Sequence, residues 1–374
     1  MKEVLYLAWC YLAYNKIKTV VLIAAVMITI YLPIGIQIIV SQSAEEFTSR
    51  ARATPMLVGA KGSPLELVLN SLYFISDPPR DSMSYSEVIR VQKSGKALAI
   101  PLNTRFKTKD SPIVGTTLEY FELRNLIIAD GRNFGILGEC VLGANAAKRA
   151  NANPGDYVLS TPESILDHNA YRLRMKVVGV LKPTGTADDD ALFVDVKTTW
   201  VIDGQIHGHE ESRPNQRFTE ITKKNLNLFH FAGDPTSSKI TAVIVIPHDE
   251  KSATQLVGRY LGEDEQVQIV ESSVVMDDLL KAILKIRSYV IVAMIVLSAA
   301  TLATMALVFT LSVQQRRREI ETMSKIGGSR VRVAGVIVTE ITSVFVVGVV
   351  LAGVLALLTL WYAPVITRSF VAAS

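Results

Sequence analysis

The chain predicts a membrane α-helical protein with three spans and one large mixed α/β domain held outside the membrane. Three observations predict this class. First, no charged residue occurs from Thr19 to Ala44, from Ser288 to Gln315 or from Ile341 to Thr367. Each gap runs to about 26–28 residues, enough to cross the roughly 30 Å hydrocarbon core as a helix. Second, the first two gaps are separated by a long segment of ordinary charge with alternating strand and helix patterns. Third, basic residues cluster at the two ends that would face the cytoplasm. The 374 residues are 49% hydrophobic and only 20% charged, with a mean hydropathy of +0.30. That composition excludes a disordered chain and argues against a purely soluble one.

At the N-terminus, residues 1–18 hold Lys2, Lys16 and Lys18 against Glu3. Their aromatic- and Leu-rich run suits a cytoplasmic helix lying along the inner interface, or an extension of the first span. Residues 19–41 form that span. Its apolar stretch exceeds a signal-peptide core and no small-residue cleavage site stands out before Ser41, so it reads as an uncleaved anchor. Pro33 lies inside it and should kink it. The second span is placed at 287–313 and the third at 333–362, with a tail at 363–374. The loop 314–332 carries Arg316, Arg317, Arg318, Lys325, Arg330 and Arg332 against Glu319 and Glu321. The positive-inside rule therefore places the N-terminus and this loop in the cytoplasm and the large domain outside. The basic excess belongs to membrane-proximal loops, so nucleic acid is not an expected partner and lipid is.

Residues 42–286 predict mixed α/β structure. Strand patterns fall at 96–102, 111–117, 139–142, 157–160, 172–181, 191–195, 240–246 and 266–269. Helical patterns fall at 63–75, 84–94, 143–151, 196–204 and 251–261. The polar stretch from Asp203 to Lys224 reads as a long loop or inserted element. From about 271 to 286 an apolar helical spacing runs without a breaker into the second span, which predicts a rigid stalk. Cys10 and Cys140 fall on opposite sides of the membrane and cannot pair.

Several pieces then occur in order: Tyr120-Phe-Glu-Leu-Arg, Ile128-Ala-Asp-Gly-Arg-Asn-Phe, Val141-Leu-Gly-Ala-Asn, Pro154-Gly-Asp-Tyr-Val, and Val177-Val-Gly-Val-Leu-Lys-Pro-Thr-Gly-Thr. The series resembles the extracytoplasmic domain of the MacB/FtsX/LolC-type ABC transporter permeases, the type VII or mechanotransmission superfamily. The loop Gln315-Arg-Arg-Arg-Glu-Ile-Glu-Thr-Met-Ser-Lys-Ile-Gly-Gly is similar to that family's segment between its second and third spans, which ends in a short helix docked on the ATPase. The resemblance makes Arg317, Glu319, Ile320, Met323, Ile326, Gly327 and Gly328 the expected ATPase-coupling residues. Their pattern is compatible, because Ile320, Met323 and Ile326 share one stripe and Gly327-Gly328 ends the turn. The family has four spans, whereas three charge-free gaps occur here.

The resemblance implies no catalysis in this chain. ATP and Mg would act in a separate ABC ATPase subunit, and no cofactor is expected. Gly59-Ala-Lys-Gly-Ser-Pro lacks phosphate-loop spacing and reads instead as a turn capping a helix from Ser63. The further partners implied are a second permease in a homodimer or pseudo-dimer and an extracytoplasmic adaptor or substrate protein. The expected function is export or extraction of a peptide-, lipid- or lipoprotein-like substrate. Two alternatives are an FtsX-like regulator of an outer enzyme that transports nothing, and a metal-related transporter or sensor. The latter would use His207 and His209, whose His-x-His spacing places both rings on one side of a strand, with His168, His230 and His248 elsewhere in the same domain as further candidate ligands and no spacing to choose among them. The reading preferred for that segment is a solvated loop without metal. Gly348 and Ala352, at small-xxx-small spacing, are expected to mark helix packing.

Overall fold

The computed structural model describes residues 2–75, 82–161, 172–210, 213–217, 219–262, 265–315 and 330–373. Two units divide the chain, Met1–Glu46 with Leu280–Val371 and Phe47–Leu279 with Ala372–Ser374.

The first unit is helical. Helix α1 (Lys2–Tyr14) is separated at Asn15 from α2 (Lys16–Arg52), which retains Pro33 within its length. Two further long helices, α9 (Ser272–Gln315) and α10 (Arg330–Ala373), complete the set. Among the described residues, three stretches are long and apolar enough to cross a membrane: Lys16–Gln42, Ile291–Gln315 and Ala334–Tyr362. Most of their apolar side chains face outward, as a lipid solvent permits. The inward stripe is short and joins Leu22 and Val26 of α2 with Met305 and Phe309 of α9 and Val344 of α10. Gly348 lets α10 approach closely, since a Cβ there would sit 2.7 Å from the Cβ of Val26. Ala352 is fully buried one turn further along. The Tyr31 hydroxyl of α2 lies 2.9 Å from the Thr359 hydroxyl of α10. Helix α10 is continuous to Ala373, where the sequence predicts a tail from residue 363.

The second unit is built on a ten-stranded mixed sheet. Its strands are β1 (Met56–Ala60), β3 (Ala97–Lys107), β4 (Pro112–Thr116), β5 (Ile128–Gly131), β6 (Glu139–Leu142), β7 (Tyr157–Leu159), β8 (Arg174–Leu181), β9 (Leu192–Asp195), β14 (Ala242–Pro247) and β15 (Val267–Glu271). The order is β15-β1-β14-β3-β4-β9-β6-β8-β5, with β7 also paired to β8. Pairing is antiparallel except for β4 with β9 and β6 with β8. Smaller sheets join β2 (Met83–Ser84) to β13 (Lys239–Ile240), and β11 (Arg213–Arg217) through β10 (Ile206–Glu210) to β12 (Phe229–Phe231).

Both faces of the large sheet are covered, which explains its continuous apolar runs. In β14, Val243 and Val245 face one core while Ala242 and Ile244 face the other. The first core is closed by α4 (Ser86–Lys93), α6 (Ala144–Ala150), α7 (Val196–Ile202) and α8 (Glu250–Arg259), through Val88, Ala146, Trp200 and Leu256. The second is closed by α3 (Pro64–Val68), the π-helical turn Leu69–Tyr73 and α5 (Leu118–Leu123), through Val68, Leu72 and Phe121. Ala51 from the end of α2 and Met276 from the start of α9 are buried in that second core.

One sequence reading needs correction and another is decided. Gly59 and Ala60 belong to buried strand β1 and not to a turn; Ser63 does cap α3, its hydroxyl accepting from the Glu66 amide at 3.3 Å. Of the two readings of the stretch from Asp203, a long loop or an inserted element, the strands β10 and β11 favour the inserted element. Only Ile206 in β10 is large and apolar. Gly208 lies beneath the Phe229 ring, which fills the space a side chain would need, so the strand lacks the usual alternating signature.

Candidate functional site

The coupling residues inferred from sequence, Arg317, Glu319, Ile320, Met323, Ile326, Gly327 and Gly328, lie outside the described residues. Gly348 and Ala352 lie inside the helical unit as given above. Among the polar clusters of the described outer unit, which include the Arg90–Glu265 and Arg132–Glu139 pairs, two bear on function.

The first is a buried ion pair at the outer end of α2. Arg50 and Asp188 meet end on, with Nη1 donating to Oδ2 at 2.7 Å and Nη2 to Oδ1 at 2.8 Å. The Asp188 side chain is only 1% exposed and that of Arg50 7%. Tyr120 closes a triangle by accepting from Arg50 Nη2 at 2.9 Å and donating to Asp188 Oδ1 at 2.8 Å. Arg50 Nε also donates to the Leu72 carbonyl. Arg124 donates to the Thr54 hydroxyl at 2.6 Å, and Thr54 in turn donates to the Arg50 carbonyl at 3.0 Å. Asp188 is presented by the 3₁₀ turn Ala187–Asp190, whose N-terminus Thr186 caps.

Burial is the largest effect on every ionisable member, and it disfavours charge. At Asp188 it would raise the carboxyl, but the charge and hydrogen bonds of Arg50 and the Tyr120 hydroxyl outweigh it and hold the group below the usual carboxylate range. At Arg50 burial is likewise outweighed by Asp188, so the guanidinium stays firmly protonated. Burial, then the Asp188 charge, pushes the Tyr120 phenol up to about 12. Arg124 is lowered by burial and by the neighbouring Arg50 charge. A network of this kind is structural: it fixes α2, the Leu72 turn, α5 and the Asp188 turn as one piece. No sequence spacing could reveal it, since Arg50 and Asp188 are 138 residues apart.

The second constellation is a face of three histidines. In β10, His207 and His209 alternate with Ile206 and Gly208, so both imidazoles emerge on the side opposite Ile206. His207 stands directly across from His230 of β12, while Ile206 pairs with Phe231 and Gly208 with Phe229. Ile206, Phe229 and Phe231 belong to the first core, and Phe231 packs on Trp200 at 5.9 Å between centroids. The histidines accordingly share the opposite face. Ring centroids are 4.6 Å apart for His207 and His230, 5.5 Å for His209 and His230 and 5.9 Å for the two β10 rings. One ring nitrogen from each lies within 4.8 Å of the others. The pair on β10 was legible from its spacing; His230 required the register of β12.

Two family models match most of the chain. The MacB-like periplasmic core domain matches residues 19–259, and the FtsX-like permease C-terminal matches residues 291–373. Among solved structures, the periplasmic region of MacB from Actinobacillus actinomycetemcomitans is 14% identical, covering 60% of this chain and 92% of that one with a TM-score of 0.37. The extracellular domain of the noncanonic ABC-type transporter YknZ from Gram-positive bacteria is 13% identical, covering 58% of this chain and 99% of its own with a TM-score of 0.35. No curated protein matches. With both family models placed in chain order on a helical unit and a mixed α/β unit, the chain belongs to the MacB/FtsX/LolC-type permeases of ABC transporters.

Proposed function

We propose that the chain couples ATP hydrolysis by a separate cytoplasmic ABC ATPase to conformational change of its outer domain, as half of a permease dimer. The work done is export or extraction of a peptide-, lipid- or lipoprotein-like substrate on the outer side of the cytoplasmic membrane, where an adaptor or substrate protein meets the domain.

The observation that supports this reading best is the course of two helices. Helix α2 contains the span Lys16–Gln42 and continues as one helix to Arg50 and Ala51, which are buried in the outer unit. Helix α9 starts with Met276, buried in the same core, and contains the span Ile291–Gln315. An α-helix is stiff along its axis because each turn is closed by backbone hydrogen bonds. In this reading a displacement applied at the cytoplasmic end of α9 is carried along the helix to the residues it buries, and α2 carries it past Pro33, where one such bond is missing. The spans themselves are apolar and offer few groups to line an aqueous path, which favours transmission of movement over conduction.

The coupling assignment rests on residues 316–328, where an apolar stripe stands among arginines. Ile320→Asp with Met323→Asp puts two charges on that stripe. Expected is loss of the cognate ATPase from the purified complex and loss of permease-dependent ATP turnover. If the double variant still copurifies the ATPase with unchanged turnover, the coupling assignment is wrong.

A further inference from the structure

We propose that His207, His209 and His230 form a binding site for a divalent late first-row transition metal ion of the zinc class, on the outer face of the β11-β10-β12 sheet. The proposal is independent of the transport reading, because it concerns what the outer domain binds and not how it is driven.

Imidazole nitrogens suit zinc, copper(II) and nickel and are poor ligands for magnesium or calcium, so the donor set itself selects the metal class. Three such donors with the fourth position open is the arrangement of zinc sites that exchange a ligand. A tetrahedral ion with bonds of about 2.0–2.1 Å places its ligand atoms about 3.3 Å apart. The three nitrogens here already lie within 4.8 Å of one another, a separation that rotation of the rings about their side-chain bonds can close.

The second strand of the argument is what the other ring nitrogens do. Nδ1 of His230 lies 3.2 Å from the Leu228 carbonyl oxygen, and a carbonyl can only accept. Nδ1 therefore carries the proton and Nε2 keeps its lone pair for a ligand, the backbone support commonly given to metal-binding histidines. Nδ1 of His209 is buried and has no hydrogen-bond partner among the described residues, a cost that a metal or a proton-accepting neighbour would relieve. The scaffold beneath is firm: Ile206 and Phe231 are held in the first core, and the Ala232 amide donates to the Gln205 carbonyl at 2.8 Å. Cross-strand pairing of His207 with His230 means that a bound ion clips β12 to β10. His230 is exposed, so the open coordination position faces outward, where a ligand from a second molecule can complete it.

The test uses tag-free full-length protein in detergent, stripped with a chelator and titrated with zinc chloride against a chromophoric zinc indicator. About one equivalent should bind with a Kd on the order of a micromolar or tighter. Single replacements His207→Ala, His209→Ala and His230→Ala should each weaken binding about tenfold or more, while His248→Ala, which is exposed elsewhere in the domain, should not. Cobalt(II) added to the unmodified protein gives a check that does not depend on a variant folding. Strong visible absorption of a four- or five-coordinate ion supports the site. The weak spectrum of hexahydrated cobalt overturns it. Binding of well under one zinc per chain, or equal affinity in the triple alanine variant, also overturns it.

Discussion

At the scale of single residues, the buried Arg50–Asp188 pair makes the sharpest stability statement. Removing one partner strands a charge that burial cannot tolerate, at a cost of about 3–5 kcal/mol. Asp188→Asn should therefore lower the thermal midpoint of the detergent-solubilised chain by about 10 °C. Arg50→Met combined with Asp188→Leu should recover part of that loss, since no buried charge is left unpaired while the Tyr120 hydroxyl and the Leu72 carbonyl lose the partners they have in the triangle. If Asp188→Asn leaves the midpoint unchanged, the pair is not the anchor described here. The pH dependence follows from the same carboxyl. Its folded pKa is held below its unfolded value of about 3.9, so the unfolded chain binds the proton more readily. The stabilisation is complete above about pH 4 and is lost as pH falls through the lower, folded value. The difference in midpoint between wild type and Asp188→Asn should thus be constant near neutrality and shrink in acid. Little of this was legible beforehand. Tyr120 and Arg124 stood in a run that carried the family resemblance, but Arg50 and Asp188 are joined only by the fold. The histidines divide the same way, since His-x-His shows in the chain and His230 enters only through strand register.

Among the elements, helices in lipid were read most directly. Gaps beginning at Thr19, Ser288 and Ile341 fall on the three apolar spans, because hydrocarbon admits few charges over a length that composition alone can reveal. Strands with two buried faces were also legible as apolar runs, as at residues 139–142 and 191–195. The three-stranded histidine sheet was not, because a glycine roofed by Phe229 replaces the apolar residue that would mark the pattern. Gly348 supports a test of helix packing. With Val26 beside the absent Cβ, Gly348→Leu should force α10 away from α2 and reduce resistance to thermal aggregation in detergent. Tyr31→Phe removes only the hydroxyl pairing with Thr359 and should cost about 0.6 kcal/mol, the usual scale of such a bond between membrane helices. Equal loss in the two variants would contradict close packing at Gly348.

For the molecule as a whole, the distribution of basic residues predicts an orientation, and its two cysteines test it. Cys10 is exposed, whereas Cys140 is fully buried and its thiol is pushed well above the ordinary range by burial and then by the Glu139 charge. A membrane-impermeant maleimide should leave intact spheroplasts unlabelled and modify Cys10 once the membrane is opened. Cys140 should react only after denaturation. Labelling of Cys10 in sealed spheroplasts would reverse the topology and, with it, the placement of the coupling loop beside the ATPase.

By itself the sequence determined the spans, the division into membrane helices and an α/β domain, and the family. Each depends on composition or on local order along the chain. The tertiary structure alone decided which distant polar groups share a site. Arg50 with Asp188, and His230 with His207 and His209, are brought together by strand pairing and core packing, whose partners are set by shape and register across more than a hundred residues in the first case and across one antiparallel ladder in the second.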